Sequence, residues 1–137
     1  MEYNDLTESK MTEIAKEVAN ELNCGDLILL YGNLGTGKTF FTNKLCTQLG
    51  VETIVNSPSY VLLNEYEGKW KIYHYDLYRL GTSEEAIELG IIERLKEGIT
   101  IIEWPGLIED YLPKKRIEVY FEHNGDFRNI KIIKTEG

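Results

Sequence analysis

Residues 32–39 read Gly32-Asn33-Leu34-Gly35-Thr36-Gly37-Lys38-Thr39, a full match to the phosphate-binding pattern G-x-x-x-x-G-K-[ST]. In that pattern glycines let backbone N–H groups turn inward around phosphates, the lysine reaches the terminal phosphates, and the Ser/Thr hydroxyl ligates Mg²⁺. The flanks decide whether the match means anything. Before it stands Leu27-Ile28-Leu29-Leu30-Tyr31, an apolar run suited to a buried strand. After it, Phe41, Leu45 and Leu49 recur on one helical face until Gly50 stops the helix. Strand, loop and helix occur in the required order, and the helix N-terminus adds the positive end of its dipole to the site. A glycine-rich turn with a chance lysine does not explain this agreement. The stretch Asn33, Leu34, Gly35, Thr36, Gly37, Lys38, Thr39 and Phe40 is therefore the expected nucleotide-binding segment.

Working outward, Met11, Ile14, Ala15, Val18 and Leu22 predict an amphipathic first helix, with Thr7 or Thr12 as its cap. Downstream, residues 51–55 are expected to form a short strand. Asn56-Ser57-Pro58-Ser59-Tyr60 then makes a polar loop, and Ser57 and Ser59 mark it as a candidate switch near a γ-phosphate. Residues 61–66 and 70–77 read as a hairpin. Alternation places Trp70, Ile72, His74 and Asp76 on one face of its second strand. Thr82-Ser83-Glu84-Glu85 has the spacing of a capping box, opening a helix through Leu89, and a further helical turn runs to Leu95. Ile99 to Ile102 is another buried strand, ending in Glu103-Trp104-Pro105, and the C-terminal segments around Asn124-Gly125-Asp126 form an antiparallel pair.

A phosphate loop needs an acidic residue at the end of a neighbouring strand, to hold Mg²⁺ directly or through water. Glu103 and Asp76 both qualify. The plain alternatives are a surface strand end for Glu103 and a turn cap for Asp76. His74, a lone strand histidine, is given a supporting role at most. Lys38, Asp76 and Glu103 are thus the expected catalytic set, Thr39 and Glu103 the expected metal ligands, and Trp104 the edge of the site.

The 137 residues fit one domain, 1–137, and no segment approaches the roughly 18 apolar residues needed to span a membrane. The polar, acidic start from Met1 to Asp5 is unlike a secretion signal, which makes the cytoplasm the expected compartment. Two cysteines without a Cys/His cluster give no support to a zinc site or a disulfide framework. A net charge of −8 argues against direct electrostatic binding of nucleic acid; the acidic surface serves solubility or docking. The fold expected is a three-layer α/β domain of P-loop NTPase type: a mainly parallel central sheet, helices on both faces and antiparallel edge strands.

Six segments then occur in one order: the phosphate loop, Ser57-Pro58-Ser59-Tyr60, Asn64-Glu65-Tyr66, His74-Tyr75-Asp76-Leu77-Tyr78-Arg79-Leu80, Glu88-Leu89-Gly90-Ile91 and Ile102-Glu103-Trp104-Pro105. In this the chain closely resembles the TsaE (YjeE) family, small bacterial ATPases required for threonylcarbamoyladenosine modification of tRNA. The resemblance covers nearly the whole chain, including the first helix and the terminal hairpin with Arg128. It implies ATP and Mg²⁺ as cofactors and action on an assembly of TsaB- and TsaD-type proteins, with tRNA engaged only through that assembly. It also implies that Lys38 binds β- and γ-phosphates, Thr39 and Glu103 serve the metal, Asp76 acts at metal or water, and residues 57–60 switch. Asn33, where the family often has Asp, and Ser59-Tyr60, where Thr-Phe is common, are mild departures.

Other classes fit less well. A small P-loop kinase needs an acceptor pocket and usually an arginine-bearing lid, whereas Arg79, Arg94, Arg116 and Arg128 are scattered. A GTPase needs an N-K-x-D segment, and Asn43-Lys44 instead continues into the helix after the phosphate loop. A non-hydrolytic, nucleotide-dependent interaction module is the remaining alternative. With no evident internal arginine finger, hydrolysis is expected to be slow without a partner.

Overall fold

The computed structural model describes every residue except Leu34, Ile54, Ser57, Ser59 and Gly137. Strands β1 (Glu2–Leu6), β2 (Leu27–Tyr31), β3 (Leu63–Glu67), β4 (Lys71–Asp76), β5 (Ile99–Glu103), β6 (Lys115–Asn124) and β7 (Phe127–Glu136) join in one sheet, ordered β1-β7-β6-β2-β5-β4-β3. The four central strands, β6, β2, β5 and β4, run parallel. The hairpins β3–β4 and β6–β7, and the β1–β7 pair, put antiparallel strands at both edges. This is the α/β architecture the sequence predicts.

Alternation along the buried strands divides the interior in two. Ile28, Leu30, Ile72, Ile99 and Ile101 face α1 (Glu8–Asn20) and α2 (Lys38–Gln48), which supply Met11, Ile14, Val18, Phe41 and Leu45. Leu27, Leu29, Tyr73, Tyr75 and Ile102 face the short helices α3 (Ser83–Ile87) and α4 (Ile91–Arg94) and the single turns after β5. Thr7 caps α1, its Oγ1 accepting from Lys10 N, and Thr82 with Glu85 completes a capping box on α3.

Two sequence readings need correction. Among the described residues, 51–55 contain no strand. Val51 and Val55 are buried, but the Val51 N–H is spent on Cys46 O at the end of α2, so it has nothing to give a ladder. Strand β1 was not expected: its residues are mostly exposed, and irregular pairing between Tyr3 and Leu6, with Asp5 at φ 55°, breaks the two-residue period. Its consequence reaches the site, because β1 carries the start of α1 to the phosphate loop.

Register fixes the site's position. Leu30 pairs with Glu103, and Glu103 with Asp76, so the carboxyl ends of β2, β5 and β4 lie side by side. Open α/β sheets bind ligands at that edge.

Candidate functional site

The phosphate loop leaves β2 at Tyr31, whose ring stacks on Tyr120 at 4.5 Å and whose hydroxyl donates to Glu109 at 2.7 Å. Anchored there, the chain turns at Gly32 (φ +148°). A Cβ on Gly32 would stand 2.8 Å from Phe121 O and 2.9 Å from Thr36 Oγ1, so close backbone approach requires glycine. Thr36 Oγ1 closes the loop onto Asn33 O at 2.7 Å. Gly37, at φ +103°, starts α2.

Lys38 is only 5% exposed. Its ammonium donates to Gly32 O at 2.5 Å and lies over the Trp104 ring, 4.0 Å from the centroid. Burial lowers its pKa, with Glu103 and Asp76 pulling in the opposite direction. Thr39 is exposed on the same cleft wall, and Phe40 is half-buried beside it.

Glu103 is buried, not a surface strand end. Its Oε2 sits 2.6 Å from His74 Nε2. On the other side of that ring, Nδ1 lies 3.2 Å from the Tyr66 hydroxyl, which also approaches Asn56 O at 3.1 Å. Burial raises the Tyr66 pKa and keeps that hydroxyl protonated, available as a donor. Asp76 combines both of its sequence readings: Oδ1 accepts from Tyr78 N at 2.9 Å as a turn cap, and the residue lines the cleft. Trp104 takes a left-handed backbone (φ 56°) after β5, strained for a non-glycine residue, and packs on Tyr78 at 4.7 Å.

These groups share a cleft of about 500 Å³. Lys38, Thr39, Asp76, Glu103 and Trp104 line it, as the sequence reading grouped them. Of the remaining expected binding residues, Gly35, Gly37 and Phe40 also line it, Asn33 and Thr36 do not, and Leu34, like the expected switch residues Ser57 and Ser59, lies outside the described residues. Among the described residues no cluster of three or more His, Cys, Asp and Glu side chains is arranged to hold a metal by itself. Mg²⁺ does not need one, since it is commonly held by one or two carboxylates together with phosphates and water. The oxygen donors Thr39, Asp76 and Glu103 fit that chemistry.

The terminal hairpin adds a group that the sequence reading scattered. Arg128 lines the cleft and reaches Gly35 O at 3.5 Å, so a guanidinium from the chain itself stands at the phosphate loop. Its approach depends on β7 pairing 93 residues away from Gly35, which no local pattern signals.

Known proteins resemble this chain in sequence and in fold. The family model described as threonylcarbamoyl adenosine biosynthesis protein TsaE matches residues 6–130. The chain belongs to the TsaE family. A Bacillus subtilis relative, named tRNA threonylcarbamoyladenosine biosynthesis protein TsaE, is 35% identical over 92% of this chain and 80% of its own length. A Rickettsia bellii protein of the same name is 38% identical over 95% of this chain and 92% of its own. Among solved structures, Bacillus subtilis YdiB superposes with a TM-score of 0.80 at 28% identity, covering all of this chain and 86% of that one. The TsaE-family match spans every described cleft residue named above, from Lys38 to Arg128.

Proposed function

We propose that this TsaE-family protein binds ATP with Mg²⁺ and hydrolyses it in tRNA threonylcarbamoyladenosine biosynthesis, acting on an assembly of TsaB- and TsaD-type partners in the cytoplasm. The observation that carries this reading is the meeting of Lys38, at the first turn of α2, with Glu103 and Asp76, in register on adjacent strands, across one cleft.

In this reading the backbone N–H groups of the loop and the start of α2 cradle the phosphates, and Lys38 exchanges Gly32 O for the β/γ-phosphate oxygens. Thr39 and Glu103 hold the metal, which when bound neutralises charge building on the phosphoryl oxygens. Asp76, tied to Tyr78 N, orients water or a metal-bound water. Arg128 adds positive charge beside the phosphate loop. The net charge of −8 favours tRNA contact through the partners over direct binding.

The test is steady-state ATP turnover by the chain alone, with tRNA alone and with the TsaB–TsaD assembly at moderate salt. Stimulation by the assembly and none by tRNA alone is expected. Strong stimulation by tRNA alone, or none by the assembly, overturns the partner assignment. Nucleotide-independent binding to the assembly, with no turnover in any mixture, overturns the ATPase.

A further inference from the structure

Glu103 is held from behind by a chain of hydrogen bonds that reaches across three strands. Asn64 faces His74 across the β3–β4 ladder, and Tyr66 lies two residues further along β3 on the same face. His74 in turn reaches along β5 from its own partner, Ile101, to Glu103. The three side chains nearest the carboxylate end are enclosed: His74 is 0% exposed, Glu103 3% and Tyr66 6%.

With Glu103 as the carboxylate that a metal ligand must be, the shared proton sits on His74 Nε2 and the ring donates to Oε2 at 2.6 Å. Nδ1 is then an acceptor facing the Tyr66 hydroxyl at 3.2 Å, whose one proton it shares with Asn56 O at 3.1 Å, while Asn64 Nδ2 donates to Tyr66 Oη at 3.4 Å. Each bond polarises the next towards the carboxylate. A glutamate has three side-chain torsions, and fixing one oxygen removes most of that freedom. Glu103 lines the cleft, so with Oε2 taken by His74 the carboxylate has one oxygen left to offer a ligand.

We propose that His74, backed by Tyr66, is a positioning residue that holds Glu103 in a one-oxygen, metal-accepting geometry. The chain also reaches Asn56, whose O accepts from Asn64 Nδ2 at 3.1 Å. The positioning role rests on the nucleotide–Mg²⁺ reading of the cleft.

The experiment titrates Mg²⁺ into protein with ATP and follows Trp104 fluorescence, with nucleotide binding in EDTA measured separately. His74→Phe is expected to raise the Mg²⁺ midpoint about 10-fold or more, the usual cost of losing an outer-shell partner, while leaving metal-free nucleotide affinity unchanged. His74→Gln, whose amide N–H reaches nearly the same point as imidazole Nε2, should recover most of the loss. Tyr66→Phe should shift the midpoint in the same direction by a smaller factor, and carries the test if His74→Phe fails to fold. A wild-type midpoint shared by folded His74→Phe and Tyr66→Phe overturns the positioning role alone. A shift in His74→Gln as large as in His74→Phe does so too. A wild-type protein with no Mg²⁺-dependent nucleotide binding overturns the underlying reading, and this inference with it.

Discussion

Replacing Lys38 with methionine separates what this residue does for the fold from what it does for the reaction. The substitution keeps a long unbranched stem against Trp104 and removes only the ammonium. Two contacts are lost: the hydrogen bond to Gly32 O at 2.5 Å and the cation–π contact at 4.0 Å. Charged hydrogen bonds contribute about 1.5–3 kcal/mol and cation–π contacts roughly 0.5–2 kcal/mol. Against them stands the dehydration of a buried ammonium, an effective penalty of several kcal/mol. The two sides are of similar size, and burial lowers the Lys38 pKa despite the favourable pull of Glu103 and Asp76, so dehydration is not repaid by those carboxylates.

Lys38→Met should therefore be within about 1 kcal/mol of wild type or more stable, a Tm change of at most about 3–5 °C downward. The pH dependence follows from the same shift. A base whose folded pKa lies below its unfolded one costs stability while charged. That cost is present at neutral pH and fades as pH rises from the folded pKa through the ordinary lysine value of 10.5. Any stability advantage of Lys38→Met should accordingly shrink between neutral and alkaline pH. ATP turnover, by contrast, should fall at least about 10²–10³-fold, the usual loss when a charge-stabilising donor is removed. Urea denaturation followed by circular dichroism across pH, together with turnover at neutral pH, makes the comparison. A loss exceeding about 2 kcal/mol with turnover intact would refute the reasoning, since the lysine would then be structural.

Three further outcomes are expected. Arg128→Ala should lower ATP turnover at least about tenfold with little change in Tm, because Arg128 sits at the cleft rim on a hairpin end; unchanged turnover removes it from the site. Gly32→Ala should cost about 2–4 kcal/mol in urea denaturation, since its Cβ would stand 2.8 Å from Phe121 O in a left-handed backbone; a near-neutral variant would mean that the loop relocates freely. Burial pushes the Cys46 thiol up to about 12, whereas Cys24 is exposed, so iodoacetamide at pH 8 should label one cysteine in the native protein and two in denaturant. Mass spectrometry that finds Cys46 labelled in the native state would contradict its placement in the core.

The parts of the site that were legible in the sequence are those whose meaning is local. Strand, glycine loop, lysine and helix are contiguous from Leu27 to Gln48, so apolar pattern and glycine spacing carry the whole argument. Glu103 and Asp76 were legible as acids at strand ends, and the register then set them side by side. Where a contact depends on a distant partner, type-by-type reading could name the residue but not what it touches. His74 had the right face, but its value lies in Glu103, 29 residues away, and in a parallel pairing that no period in the sequence encodes. Arg128 failed for the same reason at greater range, and β1 because an edge strand buried on so little surface shows no alternation. The expected strand at 51–55 erred the other way, reading burial as pairing: Val51 is buried at a helix end, where the neighbouring Leu49 O instead accepts from Lys69 N of the hairpin turn. A buried polar group is defined by what it bonds to, so the residues hardest to place from sequence are those that a cross-strand hydrogen bond has made important. In this protein they are the ones standing behind the carboxylate at the end of β5.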